Sequence, residues 1–316
     1  MKGITHYTLG LAVASCFPEA VHQAACGHPW PMLTGGLFGL LPDLLDFKIV
    51  RFLSPRHVQI IPDPLEPDMP MVAEGLALAV REARRRRSSL VVQLHPMRVA
   101  EDEWQPYEVH FEAAGAIETR LLPRCAADGR PTGEPPKGPR ASGRARLDVP
   151  LVIGYQARLR IEQLEGPTLR LTPLDDRRVR VDFLPWHRGW SHSLGLAVGA
   201  ALLAALLGGL WIGAIALLAI VTHVASDQLG YLGASLLWPF RRRRYPGLQR
   251  FHAQDSLGNA SALWLALLVM LWNLARYSSP PLPLHGPRLF FWAGLAPLAL
   301  LTVLRSHWPS RRNRLQ

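Results

Sequence analysis

Cysteine is scarce: 316 residues contain three, Cys16, Cys26 and Cys125. Their number and scatter exclude a disulfide framework and a thiolate metal site, and leave them as small packed hydrophobes. Charge is missing altogether from residues 194–221. No internal repeat and no array of charges inside the apolar runs is visible, which removes the usual signature of a secondary transporter. A cleaved leader is not expected. Val13-Ala14-Ser15-Cys16 fits a lipoprotein cleavage pattern, but Lys2 alone supplies the basic region, His6 interrupts it, and the apolar stretch 9–14 is short.

What is present is apolar and basic at once. Hydrophobic residues make up 49% of the chain and the formal charge is +11, a pairing natural for a membrane protein with basic cytoplasmic loops. The arginines adjoin apolar runs, at 84–87, 241–244, 311, 312 and 314. That placement favours membrane orientation over nucleic-acid binding, and no nucleic-acid partner is expected.

Residues 5–26 read as helix with a break at Pro18. Residues 33–47 are apolar until Asp43 and Asp46, which at a spacing of three share one helical face, although Asp43 could instead cap a turn after Pro42. From 54 to 182 the long apolar runs vanish. Short alternating segments at 90–94, 107–111, 147–153, 157–161 and 179–183 predict strands, and 126–145 is a Pro/Gly-rich loop. Apolar runs resume at 194–221, 230–240, 262–274 and 289–303. Gly208-Gly209 predicts a hairpin, with the second helix continuing toward Leu236.

If residues 48–187 are cytoplasmic, four crossings after residue 187 place every basic cluster on that side. The expected fold is an α-helical polytopic membrane protein with an inserted soluble β-rich domain. Residues 1–53 and 183–316 form the helical part, 54–182 the insertion.

Two stretches flank the uncharged run: His187-Arg188-Gly189-Trp190-Ser191-His192-Ser193 before it, and His223 with Asp227 after it. A spacing of four puts His223 and Asp227 on one helix face, where one helix can offer two ligands, or a plain ion pair. His187 and His192 flank a glycine turn beside Trp186 and Trp190, so an aromatic belt is the bland alternative. Ser191 is the expected N-cap. With His6 and Asp43 at the same bilayer face, the ensemble is a nitrogen and oxygen donor set of the kind that holds zinc or manganese. Such ions activate water for hydrolysis, and Arg188 could neutralise charge on a phosphoryl group.

Several of these stretches resemble a known family. His6 after Lys2-Gly3-Ile4-Thr5, Gly35-Gly36 leading to Leu41-Pro42-Asp43-Leu44-Leu45-Asp46, the 187–193 stretch, and His223 with Asp227 before Trp238-Pro239-Phe240 are similar to the membrane-bound metal-dependent hydrolases. Some of these are LexA-regulated inner-membrane proteins, distantly similar to zinc-dependent phospholipase C and P1-type nuclease. The resemblance covers about residues 1–50 and 186–260. It implies His6, Asp43, His187, His192, His223 and Asp227 as metal ligands, with Asp46 and Asp255 as further candidates. In catalysis Arg188 is expected to stabilise charge, and Asp43 or Asp46 to bridge ions or orient water. Ser191 stands where that family more often has Thr, and the insertion is longer than its usual pattern.

The expected activity is metal-dependent hydrolysis, with zinc or manganese, of a phosphoester or lipid-like substrate such as a phospholipid. It would take place at the cytoplasmic face of a bacterial inner membrane, with the lipid bilayer as partner. The competing expectation is a non-catalytic membrane adaptor holding a structural metal.

Overall fold

The computed structural model describes residues 1–126, 130–154, 157–162, 166–184, 186–241, 243–250, 255–277, 286–297 and 299. In chain order come helices α1 (Gly3–Ser15), α2 (Pro18–Ala25) and α3 (Trp30–Leu45), strand β1 (Val58–Ile60) and helix α4 (Met69–Arg86). Strands follow: β2 (Leu90–Leu94), β3 (Met97–Ala100), β4 (Glu103–Gln105), β5 (Tyr107–Glu112), β6 (Ala116–Leu121) and β7 (Cys125–Ala126). Then come β8 (Ser142–Arg146), β9 (Leu151–Ile153), β10 (Arg158–Ile161), β11 (Thr168–Asp175) and β12 (Arg178–Phe183). Helices α5 (Leu194–Gly208), α6 (Leu210–Gln228) and α7 (Ser256–Tyr277) follow, with only short helical turns besides among the described residues. Two compact units result: Met1–Phe52 with Arg188–Gln316, and Leu53–His187.

The β unit has three sheets, in strand orders β1-β2-β11-β12-β9, β10-β5-β6-β8 and β3-β4-β7. Alternation decides the faces. In β5, Tyr107, Val109 and Phe111 are buried while Glu108, His110 and Glu112 are less so, the period-2 pattern of a half-covered sheet. Strand β2 is buried at every position, as a central strand requires.

Sequence reading passed over α4, although its signals are present. Asp68 caps it by accepting from the Met71 N–H at 2.9 Å, and Pro70 sits in the first turn. Met69, Val72, Leu76, Val80 and Ala83 recur on one face and join the sheet core. The predicted loop 126–145 also yields its end to strand β8, which pairs with β6.

In the helical unit, Pro18 does separate α1 from α2. Gly209, at φ 88°, makes the expected turn between α5 and α6, a conformation that glycine adopts without a Cβ clash. In α5 the usual burial order is reversed. Along α5 the buried positions are Ala197, Ala200 and Ala204, whereas Leu206 and, at the turn, Leu210 are 84% and 86% exposed. Small residues inside and large apolar residues outside is the arrangement of helices packed in lipid. Two helices among the described residues are long and apolar enough to span a bilayer, α6 with 19 residues and α7 with 22. Helix α5, with 15 residues, is about 22 Å long at the standard rise, short of a ~30 Å hydrocarbon core.

Among the described residues the structure thus offers fewer clear spans than the four expected after residue 187. Nor does α6 continue toward Leu236; it ends at Gln228. Beyond it, Gly233 at φ 68° turns the chain and Leu248 N–H bonds back to Gln228 O at 2.7 Å. Of the expected run 289–303, only residues 289–297 and 299 are described, and the expected outer loop 278–283 lies outside the described residues.

Candidate metal centre

Connectivity gathers one end of four helices. His6 lies in the first turns of α1, Asp43 in the last turn of α3, His192 just before α5, and His223 and Asp227 in the last turns of α6. Antiparallel neighbours therefore bring these ends together, with the Gly209 turn at the other end. Close packing of α1 on α3 makes the convergence tight. Gly35 and Gly39, four residues apart, face Gly10, and a Cβ on Gly39 would stand 2.6 Å from the His6 carbonyl oxygen. Only glycines allow backbones to approach so closely.

The donor atoms of Asp43, His192, His223 and Asp227 all lie within 4.8 Å of one another. His192 Nε2 is 3.1 Å from His223 Nε2, 3.4 Å from Asp43 Oδ1 and 3.4 Å from Asp227 Oδ2. His223 Nε2 is 3.6 Å from Asp227 Oδ2 and 3.8 Å from Asp43 Oδ1. Ligands about 2.0–2.1 Å from one tetrahedral ion stand about 3.3 Å apart, so this spacing suits a single cation. His6 Nε2 adds a fifth donor, 3.3 Å from Asp227 Oδ1 and 3.9 Å from Asp43 Oδ2.

The far nitrogens decide the tautomers. His223 Nδ1 is 2.6 Å from the Gly39 carbonyl oxygen, which can only accept, so Nδ1 carries the hydrogen and Nε2 keeps its lone pair. Ser226 donates its hydroxyl to His223 O at 2.8 Å and can accept from His6 Nδ1 at 3.3 Å. His192 Nδ1 lies 3.3 Å from Asp46 Oδ2. Each imidazole is thus held from behind with Nε2 turned inward, as metal-binding histidines are held.

Two observations show that the residues fit a cation. Two imidazole Nε2 atoms meet at 3.1 Å, which a proton or a cation between them must reconcile. Asp227 Oδ2 and His6 Nε2 are buried without a hydrogen-bond partner, a costly state that coordination relieves. Burial alone would lower the His192 pKa, but the neighbouring carboxylates of Asp227, Asp43 and Asp46 outweigh it and push the imidazole up to about 10. The cluster attracts positive charge.

The remaining predicted residues lie outside this four-residue group. Asp46 accepts from the Arg188 N–H at 2.8 Å and from the Ser191 hydroxyl, behind His192. Arg188, at φ 58°, turns its guanidinium onto Asp227, with Nη2 2.8 Å from Oδ1 and Nη1 donating to the backbone oxygen at 3.1 Å. His187 is the last residue of the β unit, its ring 5.8 Å from that of Trp186. Ser191 is not the N-cap of α5. Ser193 caps it, accepting from the Leu196 N–H at 3.1 Å, because Ser191 is committed to Asp46. Asp255 caps α7, accepting from the Leu257 N–H at 3.0 Å. Sequence reasoning missed Gly39, Ser226 and Asn259; the last accepts from the Lys2 N–H at 2.7 Å and the Thr5 hydroxyl at 3.0 Å, fixing α7 to the start of α1. The Gly35 and Gly39 spacing was the available signal for the first of these.

No curated protein and no solved structure matches the chain. A family profile does match part of it. Residues 174–308, less than half of the chain, are similar to the family described as YdjM inner membrane protein, and this match spans His187, Arg188, His192, His223 and Asp227.

Proposed function

We propose that the protein is a polytopic, membrane-bound, metal-dependent hydrolase acting on a phosphoester or lipid-like substrate at the cytoplasmic face of the inner membrane. The inner-membrane location is supported by the family match and the two candidate spans, and the cytoplasmic placement by the arginine clusters. One observation carries the chemical reading: inward-facing His and Asp donors at single-ion spacing. The all-nitrogen-and-oxygen donor set suits zinc, with manganese next. The likeness to zinc-dependent phospholipase C and P1-type nuclease is part of this proposal, as is a ligand role for His187.

A divalent cation held there supplies Lewis acidity toward a phosphoryl oxygen and toward water. The chain's own groups do the rest. Asp43, His192, His223 and Asp227 hold the cation, with His6 as a further donor. Asp46, Gly39 O and Ser226 fix the three imidazoles. Arg188 balances Asp227, so its charge assists a phosphoryl group only through that carboxylate. Asp43, whose side chain is 15% exposed while the imidazoles are fully buried, marks the open edge. It is the group best placed to take a proton from an incoming water.

The test is turnover of a chromogenic phosphodiester and of phospholipid by detergent-purified protein, stripped of metal and reloaded with zinc or manganese. Activity that returns with metal in the wild type and not in His223→Ala supports the proposal. The burial of His6, His192 and His223 favours one alternative, a membrane adaptor clamped by a structural ion. Metal-loaded protein with no turnover selects that alternative.

A further inference from the structure

The segment joining α6 to α7 is the second place where the helical unit concentrates charge. Residues 229–250 contain Arg241, Arg242, Arg243, Arg244 and Arg250 and no Asp or Glu. They form a stitched lobe. Leu248 N–H donates to Gln228 O at 2.7 Å, Arg250 N–H to Leu229 O at 2.8 Å and Gln249 N–H to Gly230 O at 3.0 Å. Further out, Ala234 and Tyr245 exchange backbone bonds of 3.1 and 2.9 Å. Gly233, at φ 68°, lies against the Tyr245 carbonyl, where no Cβ would fit.

The lobe is anchored at the metal centre. Its base follows Asp227 directly, Ser235 N–H donates to Arg188 O at 3.1 Å, and Leu194 N–H donates to Leu236 O at 2.9 Å. Elsewhere on it Leu237, Phe240 and Leu248 are exposed, Phe240 at 91%. Arg241, Arg243 and Arg250 are exposed as well.

Topology says what covers such a surface. A segment joining two consecutive spans lies at one bilayer face, and the lobe joins α6 to α7. At that depth an exposed phenylalanine enters the acyl boundary, and neighbouring guanidiniums meet lipid phosphates. We propose that this lobe is a docking surface for anionic phospholipid headgroups, with Phe240 as the apolar anchor and Arg241, Arg243 and Arg250 as the phosphate-pairing groups. The inference stands whether or not the centre hydrolyses anything, since it uses no metal ligand.

The experiment is lipid selectivity of the full chain in bilayer nanodiscs, read by electron spin resonance of spin-labelled phosphatidylglycerol against spin-labelled phosphatidylcholine. The wild type is expected to favour the anionic lipid on the order of tenfold at low salt, less at high salt. The triple variant Arg241→Gln, Arg243→Gln, Arg250→Gln is expected to fall to near parity, and the corresponding Arg→Lys triple to keep the preference. Should the neutral triple fail to fold, Arg241→Gln and Arg243→Gln singly are each expected to lose part of it. Equal association of both lipids with the wild type, or an undiminished preference in the neutral variants, overturns the proposal.

Discussion

The two units use charge in opposite ways. In the β unit, acidic and basic residues are numerous and exposed, and they pair across the surface: Arg84 with Asp148, Arg87 with Asp176, Arg144 with Glu112. In the helical unit the only acidic residues are Glu19, Asp43, Asp46, Asp227 and Asp255. Asp43, Asp46 and Asp227 converge on the histidine cluster. Where water is plentiful a carboxylate costs little and does little; in an apolar bundle it persists where it has cationic or donor partners.

Mutations can break this comparison, and the strongest is at the buried pair. Asp227→Ala leaves the Arg188 guanidinium without its carboxylate, and is expected to cost about 3–5 kcal/mol of stability, read as a lowered unfolding midpoint in detergent. Next is the β core: Leu76→Ala, at a fully buried position, is expected to cost about 2–5 kcal/mol while leaving metal content untouched. A loss of metal in that variant would show that the units are not independent. Asp46→Asn keeps the shape behind His192 but weakens its hold on the ring; metal affinity is expected to drop roughly 10–100-fold with helical content unchanged by circular dichroism. Smallest is the surface counterpart of the first change. Arg84→Ala breaks an exposed pair and is expected to cost less than about 1 kcal/mol, measured by denaturant unfolding.

Legibility in the sequence followed the same division. Strands β5, β10 and β12 stood out because a half-covered sheet prints an alternating pattern, β2 as a short apolar run, and the Gly208-Gly209 turn because glycine interrupts an apolar run. Helix α4 was legible too, through Asp68, Pro70 and its apolar face, yet its arginine-rich end masked the pattern. At the centre, His192, His223 and Asp227 announced themselves as polar groups beside an uncharged run. The residues that hold them did not. Gly39 contributes a carbonyl and Ser226 a hydroxyl, and neither backbone acceptors nor serines mark themselves in a sequence. Asp46 and Arg188 were noticed as chemical groups, but which neighbour each would meet depends on how α3 and the 188–193 turn pack.

The account depends on a cation held by donors from four separate segments. Elemental analysis with X-ray absorption of detergent-purified protein, wild type beside His192→Ala and His223→Ala, tests this most directly. The predicted result is a divalent metal in the wild type with nitrogen and oxygen neighbours at about 2.0–2.2 Å, and its loss from both variants. Metal content unchanged in both variants, or absent from a wild type purified without chelator and offered zinc and manganese, would contradict it.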